Sequence, residues 1–381
     1  MSISWVEGGI TQSARWQSEA GVASPKSVLI ADDTINADTA YRLACEGTAM
    51  LWRGDFHNAR QLLQALARRC DQKKSSKQTK QDASIDLKQA FNLHRVAQAQ
   101  RASVLGMLLI EVGQHYIISL KRAPDFSQAC LETYGEFASP FIVSLRELQG
   151  LVGAHEWRKK GVPVEALGAN IHPHYGVFSP IRGEYLALLA KAPLPNTELA
   201  FDIGTGTGVI AALLAQRGVK KIIATDQDPR AINCAQENIT RLGLQKKITL
   251  TQTNMFPEGK APLIVCNPPW LPAKPSSPIE YAVYDPESKM LFAFLNGLTS
   301  HLTDDGEGWL IMSDFAEHLG LRSKDELRNA IEQAGLRVEE KLDIKPKHSK
   351  VMDETDRLHT ARKAEVTSLW RLKISNKTTS F

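Results

Sequence analysis

The stretch Phe201-Asp202-Ile203-Gly204-Thr205-Gly206-Thr207-Gly208-Val209-Ile210 restricts what this chain can fold into more than any other. An apolar run from Leu199 to Ile203 meets three glycines at alternate positions, and a helical pattern then opens at Val209 and continues to Gln216. The order reads as strand, tight turn, helix. Without a Cβ, glycine lets the backbone turn sharply and brings main-chain N–H groups and the helix start close to a ligand. A nucleotide-like cofactor is the expected ligand. A dinucleotide fingerprint would need G-x-G-x-x-G. Counting from Gly204, Gly206 is in place but Val209 stands where the third glycine belongs, which argues against nicotinamide or flavin.

The pattern D-x-G-x-G-x-G from Asp202 to Gly208 resembles motif I of the class I S-adenosylmethionine (SAM) methyltransferases. The next apolar run, Lys221 to Thr225, ends in Asp226. A third, Leu263 to Cys266, ends in Asn267-Pro268-Pro269-Trp270, which resembles motif IV of the members that methylate planar nitrogens, either exocyclic base amines or the glutamine side-chain amide. Each motif alone has a bland reading, as a turn or a rigid corner. Both stand at strand ends, in the family's order, with a carboxylate between them.

The resemblance implies SAM as cofactor and gives the residues roles. Asp202, Gly204, Thr205, Gly206 and Gly208 would hold its amino-acid end, Asp226 its ribose, and Asn254 its adenine amine, although the family generally has an acidic residue at the last position. Gly176-Val177-Phe178, followed by Pro180, Arg182 and Glu184, is similar to the segment before motif I, which offers Phe178 to the adenosine pocket with plain core packing as the alternative. At motif IV the chemistry explains the residue types. A planar NH2 has its lone pair delocalised and is a poor nucleophile. The Asn267 oxygen and the Pro268 carbonyl would accept both of its hydrogens and draw the nitrogen toward tetrahedral geometry. Pro268 and Pro269 stiffen the corner. Trp270, where the family usually has Tyr or Phe, would stack on the flat substrate.

A length of 381 residues points to two domains, and 43% hydrophobic residues suffice for a substantial core. A formal charge of +4 is compatible with nucleic acid without demanding it. Five cysteines fall at no ligand-like spacing, and the pair His172 and His174 lacks a clear third ligand, so no metal is expected. The N-terminus has no leader-like pattern, and no apolar run approaches the ~18 residues needed to span a bilayer; a cytoplasmic location without membrane contact is the expectation.

Residues 1–168 are expected to form a mainly helical accessory or substrate-recognition domain, and residues 169–381 a Rossmann-like seven-stranded methyltransferase sheet with an antiparallel last pair. In the first part, near-helical spacing joins Tyr41, Ala44 and Cys45 to Ala49, Leu51 and Trp52, and Asp55 can cap a following helix with Phe56, Ala59, Leu62, Leu63 and Leu66 on one face. Asp71 to Gln81 reads as a solvated basic loop, and Val104–Val112 with Tyr116–Leu120 as a hairpin. From Arg68 to Arg101 nine Lys/Arg face three Asp, and from Lys341 to Phe381 ten face five acids. These basic stretches and the flat Trp270 favour an RNA base amine as acceptor over a protein glutamine. A silent SAM-binding module and a nicotinamide-dependent oxidoreductase are the readings from other classes.

Overall fold

The structure is a computed structural model that describes residues 1–78, 86–136, 139–180, 183–275, 278–346, 353 and 356–375. It divides into two compact units, Met1–Glu156 and Trp157–Phe381. The division falls twelve residues before the boundary expected from the sequence, inside a helix.

Unit 1 contains strands β1 (Ser2–Glu7), β2 (Ile10–Trp16), β3 (Ser27–Ala31), β4 (Thr48–Trp52), β5 (Leu108–Val112) and β6 (Phe141–Ser144). Its helices are α1 (Ala37–Cys45), α2 (Phe56–Gln78), α3 (Leu87–Gly106), α4 (Ser127–Tyr134) and most of α5 (Leu145–Lys160). The strands form one sheet in the order β1-β2-β6-β5-β4-β3, with β3, β4 and β5 parallel. This sheet corrects the picture of a mainly helical domain. Helix α1 ends before Gly47, whose φ of +83° only glycine adopts readily, and Ala49, Leu51 and Trp52 belong to a strand rather than to a continued helix. The expected hairpin is also absent. Strand β5 pairs with β4 and β6, while residues 114–116 form a single 3-10 turn. The basic stretch after Asp71 continues α2 to Gln78 rather than forming a loop; its remainder, 79–85, lies outside the described residues. Asp55 does cap α2, accepting the His57 N–H at 2.9 Å.

Unit 2 opens with a short hairpin, β7 (Val162–Val164) and β8 (Ala169–Ile171), and helix α6 (Glu184–Lys191). Then come β9 (Leu199–Ile203), α7 (Val209–Gln216), β10 (Lys221–Asp226), α8 (Pro229–Arg241), β11 (Ile248–Gln252) and β12 (Ala261–Cys266). The unit closes with α9 (Lys289–His301), β13 (Leu302–Ser313), α10 (Phe315–His318), α11 (Glu326–Gln333), β14 (Leu336–Ile344), α12 (His359–Ala364) and β15 (Thr367–Ile374). Seven strands make one sheet, in the order β11-β10-β9-β12-β13-β15-β14, parallel except for β15, which runs antiparallel to both neighbours.

Strand side chains alternate between two faces. Ala200, Leu263, Val265, Trp309 and Ile311 pack with α6, α7 and α8, whereas Phe201, Ile203, Ile264, Cys266, Leu310 and Met312 pack with α9 and α11. Helix α7 is buried on every side from Val209 to Ala215, so only its ends reach the surface of the core. At 25 cal/mol per Å2, each fully buried Leu or Phe contributes roughly 1.5–3 kcal/mol. Chain order reverses between β9 and β12, and open parallel sheets leave a crevice beyond their carboxyl ends at such a point.

Candidate functional site

The three strand ends marked in the sequence lie side by side at that reversal. Ile203 of β9 pairs with Thr225 of β10 on one side and with Cys266 of β12 on the other. One residue further along each strand come Gly204, Asp226 and Asn267. Neighbouring strands stand about 4.8 Å apart, so backbone pairing alone gathers these groups.

Asp202, the penultimate residue of β9, is wholly buried. Its Oδ2 accepts the Thr205 hydroxyl at 2.7 Å and the Ala211 N–H at 3.0 Å, tying the turn and the first turn of α7 to the strand. Its Oδ1 is buried and has no hydrogen-bond partner among the described residues. Burial pushes the carboxyl up to about 7, because removing a charge from water costs more than two hydrogen bonds return.

Gly204, Gly206 and Gly208 all have left-handed φ, at +71°, +55° and +81°. A Cβ on Gly206 would meet no atom within 4 Å, while one on Gly208 would stand 3.3 Å from the Ala235 Cβ, so the last glycine also permits close packing of α8. The Thr205 N–H donates to the Thr225 carbonyl at 2.8 Å, which fixes the turn against β10.

Asp226 is already engaged with backbone: Oδ2 accepts the Gly206 N–H and Oδ1 the Asp228 N–H, both at 3.0 Å. Each oxygen keeps a second lone pair. Burial raises this carboxyl too. Asn254 is exposed in the loop after β11. The next residue, Met255, has φ +73° and its carbonyl accepts the Thr225 hydroxyl at 2.6 Å, so the loop is pinned beside β10. Phe178 is half-buried before α6, next to Val177, which packs with Ala231 and Cys234. Arg182 lies outside the described residues.

The paired histidines have structural partners. His172 Nδ1 lies 2.6 Å from the Arg158 carbonyl and His174 Nε2 lies 3.1 Å from Glu237. Buried Asn238 of α8 accepts the His172 N–H at 2.8 Å and donates to the His172 and Thr207 carbonyls at 3.3 and 3.1 Å. A buried asparagine inside a helix was the available sign of this tie.

At the third strand end Pro268 is buried, and Asn267, Pro269 and Trp270 are half-buried. Trp270 is engaged within the motif. Its ring packs against both cores of the unit, and its indole N–H donates to Asn267 Oδ1 at 3.0 Å. That bond ties the N–H edge of the ring to the motif itself. Beyond it, Leu271 bridges to Tyr284, and Asp285 Oδ2 accepts the N–H groups of Met290 and Leu291, capping α9. Glu287 and Ser288 both take left-handed φ, at +61° and +54°. Arg322, only 5% exposed, donates through Nη2 to Ser288 Oγ at 3.0 Å and to the Trp270 carbonyl at 3.4 Å. Nothing in its sequence surroundings marked Arg322, because its role depends on the path of residues 271–288.

Two observations bear on the expected cofactor. The orphaned Asp202 Oδ1 is a buried acceptor of the kind an ammonium group completes. The Gly206 position leaves the space above the turn open, where a side chain would intrude. The residues present therefore fit the amino-acid end of SAM. Among the described residues no three His, Cys, Asp or Glu side chains are grouped to hold a metal, and no helix is long and apolar enough to cross a membrane.

Comparison with known proteins agrees with this geometry. Residues 168–340 match the family model "Methyltransferase small domain". A provisionally named protein N5-glutamine methyltransferase of Methanocaldococcus jannaschii is 30% identical over 138 residues, 36% of this chain and 64% of that protein. The ribosomal protein uL3 glutamine methyltransferase of Bordetella pertussis is 38% identical over 92 residues, 23% of this chain and 30% of that protein. The tRNA1(Val) (adenine(37)-N6)-methyltransferase of Shewanella amazonensis is 25% identical over 177 residues, 45% of this chain and 73% of that protein. The chain thus spans less than two thirds of the first two of these relatives. Sheet order and glycine turn thus agree with the match of residues 168–340 to the methyltransferase small domain.

Proposed function

We propose that unit 2 methylates a planar nitrogen with SAM as donor, and that the acceptor is an exocyclic base amine in RNA. The observation that carries the reaction is that Asn267 and Gly204 each follow directly on the paired strand ends Cys266 of β12 and Ile203 of β9, an amine-accepting corner beside a cofactor turn. When bound, SAM supplies an activated methyl group. Asp202 Oδ1 takes its ammonium, the glycine turn its amino-acid end and Asp226 its ribose, with Asn254 and Phe178 as adenosine contacts. Asn267 Oδ1 and the Pro268 carbonyl accept the two hydrogens of the acceptor amine and draw its lone pair out of conjugation. Pro268 and Pro269 stiffen the backbone that carries those acceptors. No general base is required, since the amine proton can pass to water once the nitrogen has been alkylated.

The RNA assignment is supported by the basic excess of the chain and by the alignment over 177 residues with a protein named for tRNA adenine-N6 methylation. An unpaired base presents its amine at lower cost than one in a duplex. The test is to incubate the purified chain with tritiated SAM and lysate from cells lacking the gene, then to treat portions with ribonuclease or protease. Label removed by ribonuclease supports the reading. Label that survives ribonuclease and disappears with protease replaces it with glutamine methylation.

A further inference from the structure

An asparagine amide is symmetric in outline, and its oxygen and nitrogen exchange places with a half-turn about the last side-chain bond. For Asn267 the difference decides function on the reading above. The oxygen can accept a hydrogen from the acceptor amine, whereas the NH2 would oppose it donor to donor. The corner prolines fix the backbone but not this torsion.

The indole N–H of Trp270 resolves the choice, because it donates only and therefore must face the amide oxygen. One lone pair of Oδ1 goes to the indole and one remains for a substrate hydrogen. Trp270 is itself held at two further points: its ring lies against both hydrophobic cores, and its carbonyl accepts from buried Arg322, which also binds Ser288. Tyr or Phe at this place would offer no ring N–H to the amide.

We propose that Trp270 is a positioning residue that orients Asn267, with Arg322 anchoring it. The proposal rests on the methyl-transfer reading for its kinetic consequence and on the hydrogen bond alone for its structural one.

The deciding variant is Trp270→Phe, which keeps an aromatic ring and removes the N–H. With RNA from cells lacking the gene as acceptor, kcat should fall about tenfold, as one lost orienting hydrogen bond predicts. KM for the RNA and the affinity for S-adenosylhomocysteine should stay within about twofold. The loss should be absent in the Asn267→Ala background, where there is no amide to orient. A Trp270→Phe protein with unchanged kcat, or one impaired only through KM, overturns the proposal. Indole NMR separates this result from failure of the functional reading: the signal missing in Trp270→Phe should move in Asn267→Ala. If that signal stays in place the bond does not exist and the proposal falls, whatever the activity. If the signal moves but wild-type protein labels neither RNA nor protein, the functional reading fails and takes the kinetic half of the proposal with it.

Discussion

Asp202→Asn should make the protein more stable at alkaline pH while weakening its hold on the cofactor. In the fold the carboxyl is raised from 3.8 to about 7 by burial. At about 1.4 kcal/mol for each factor of ten in acidity, the charged form costs at most about 4 kcal/mol of stability. The sign follows from proton binding. A carboxyl with a raised folded-state pKa binds its proton more tightly in the fold, so its favourable contribution is complete below about pH 4 and is lost as pH rises through about 7. Asparagine does not titrate, its oxygen can keep the Thr205 and Ala211 bonds, and its nitrogen takes the place of an oxygen that has no partner. Relative to wild type the variant should therefore gain stability at pH 8 and nothing at pH 4. Recovery of even 1 kcal/mol would raise the melting midpoint of a unit this size by about 2–4 °C. Circular-dichroism melts at both pH values test the stability, and calorimetry with S-adenosylhomocysteine tests the binding. Equal midpoints at pH 8, or an equal gain at pH 4, would refute the reasoning. So would undiminished ligand affinity in the variant.

Gly206→Ala should cost roughly 1–2 kcal/mol of stability for its left-handed φ and should lose more in cofactor affinity than in stability, as read by calorimetry beside thermal melts. Asn267→Ala should reduce turnover on the order of 100-fold while S-adenosylhomocysteine binding is retained; a matching loss of binding would place Asn267 in the cofactor site instead. Cys266→Ala should stay active, because the buried thiol, pushed well above its ordinary range, takes no part in the chemistry; a variant that folds, binds ligand and is as dead as Asn267→Ala contradicts this. Binding to RNA should weaken steeply with salt, with a slope that reports the number of phosphates neutralised, and a flat salt response would count against an RNA acceptor.

The C-terminal sheet was legible because its strand ends carry residues that few other structures need. Three alternating glycines after Asp202 and two prolines after Asn267 announce turns whatever surrounds them. Unit 1 was harder to read for a physical reason. Strand β4 is buried from Ala49 to Trp52 on both faces, so it shows no period-2 pattern and its apolar residues were easily absorbed into the helical spacing before Gly47. Strand β1 did carry a sign, since Ile3 and Trp5 are buried while Ser2, Ser4 and Val6 are exposed, but six residues of alternation gave no indication of partners. The bond from Arg322 to the Trp270 carbonyl could not be read at all, because its partners lie fifty-two residues apart in the chain.

Asn238 sets a distance rather than a chemistry. One amide, projecting from α8, grips the backbone at His172 and at Thr207, so the segment leading to Phe178 and the glycine turn are measured from the same point on one helix. An insertion after Gly176 should leave the turn in register, whereas Asn238→Leu, which fills similar space without bonding, should let the two segments drift apart with every glycine still in place.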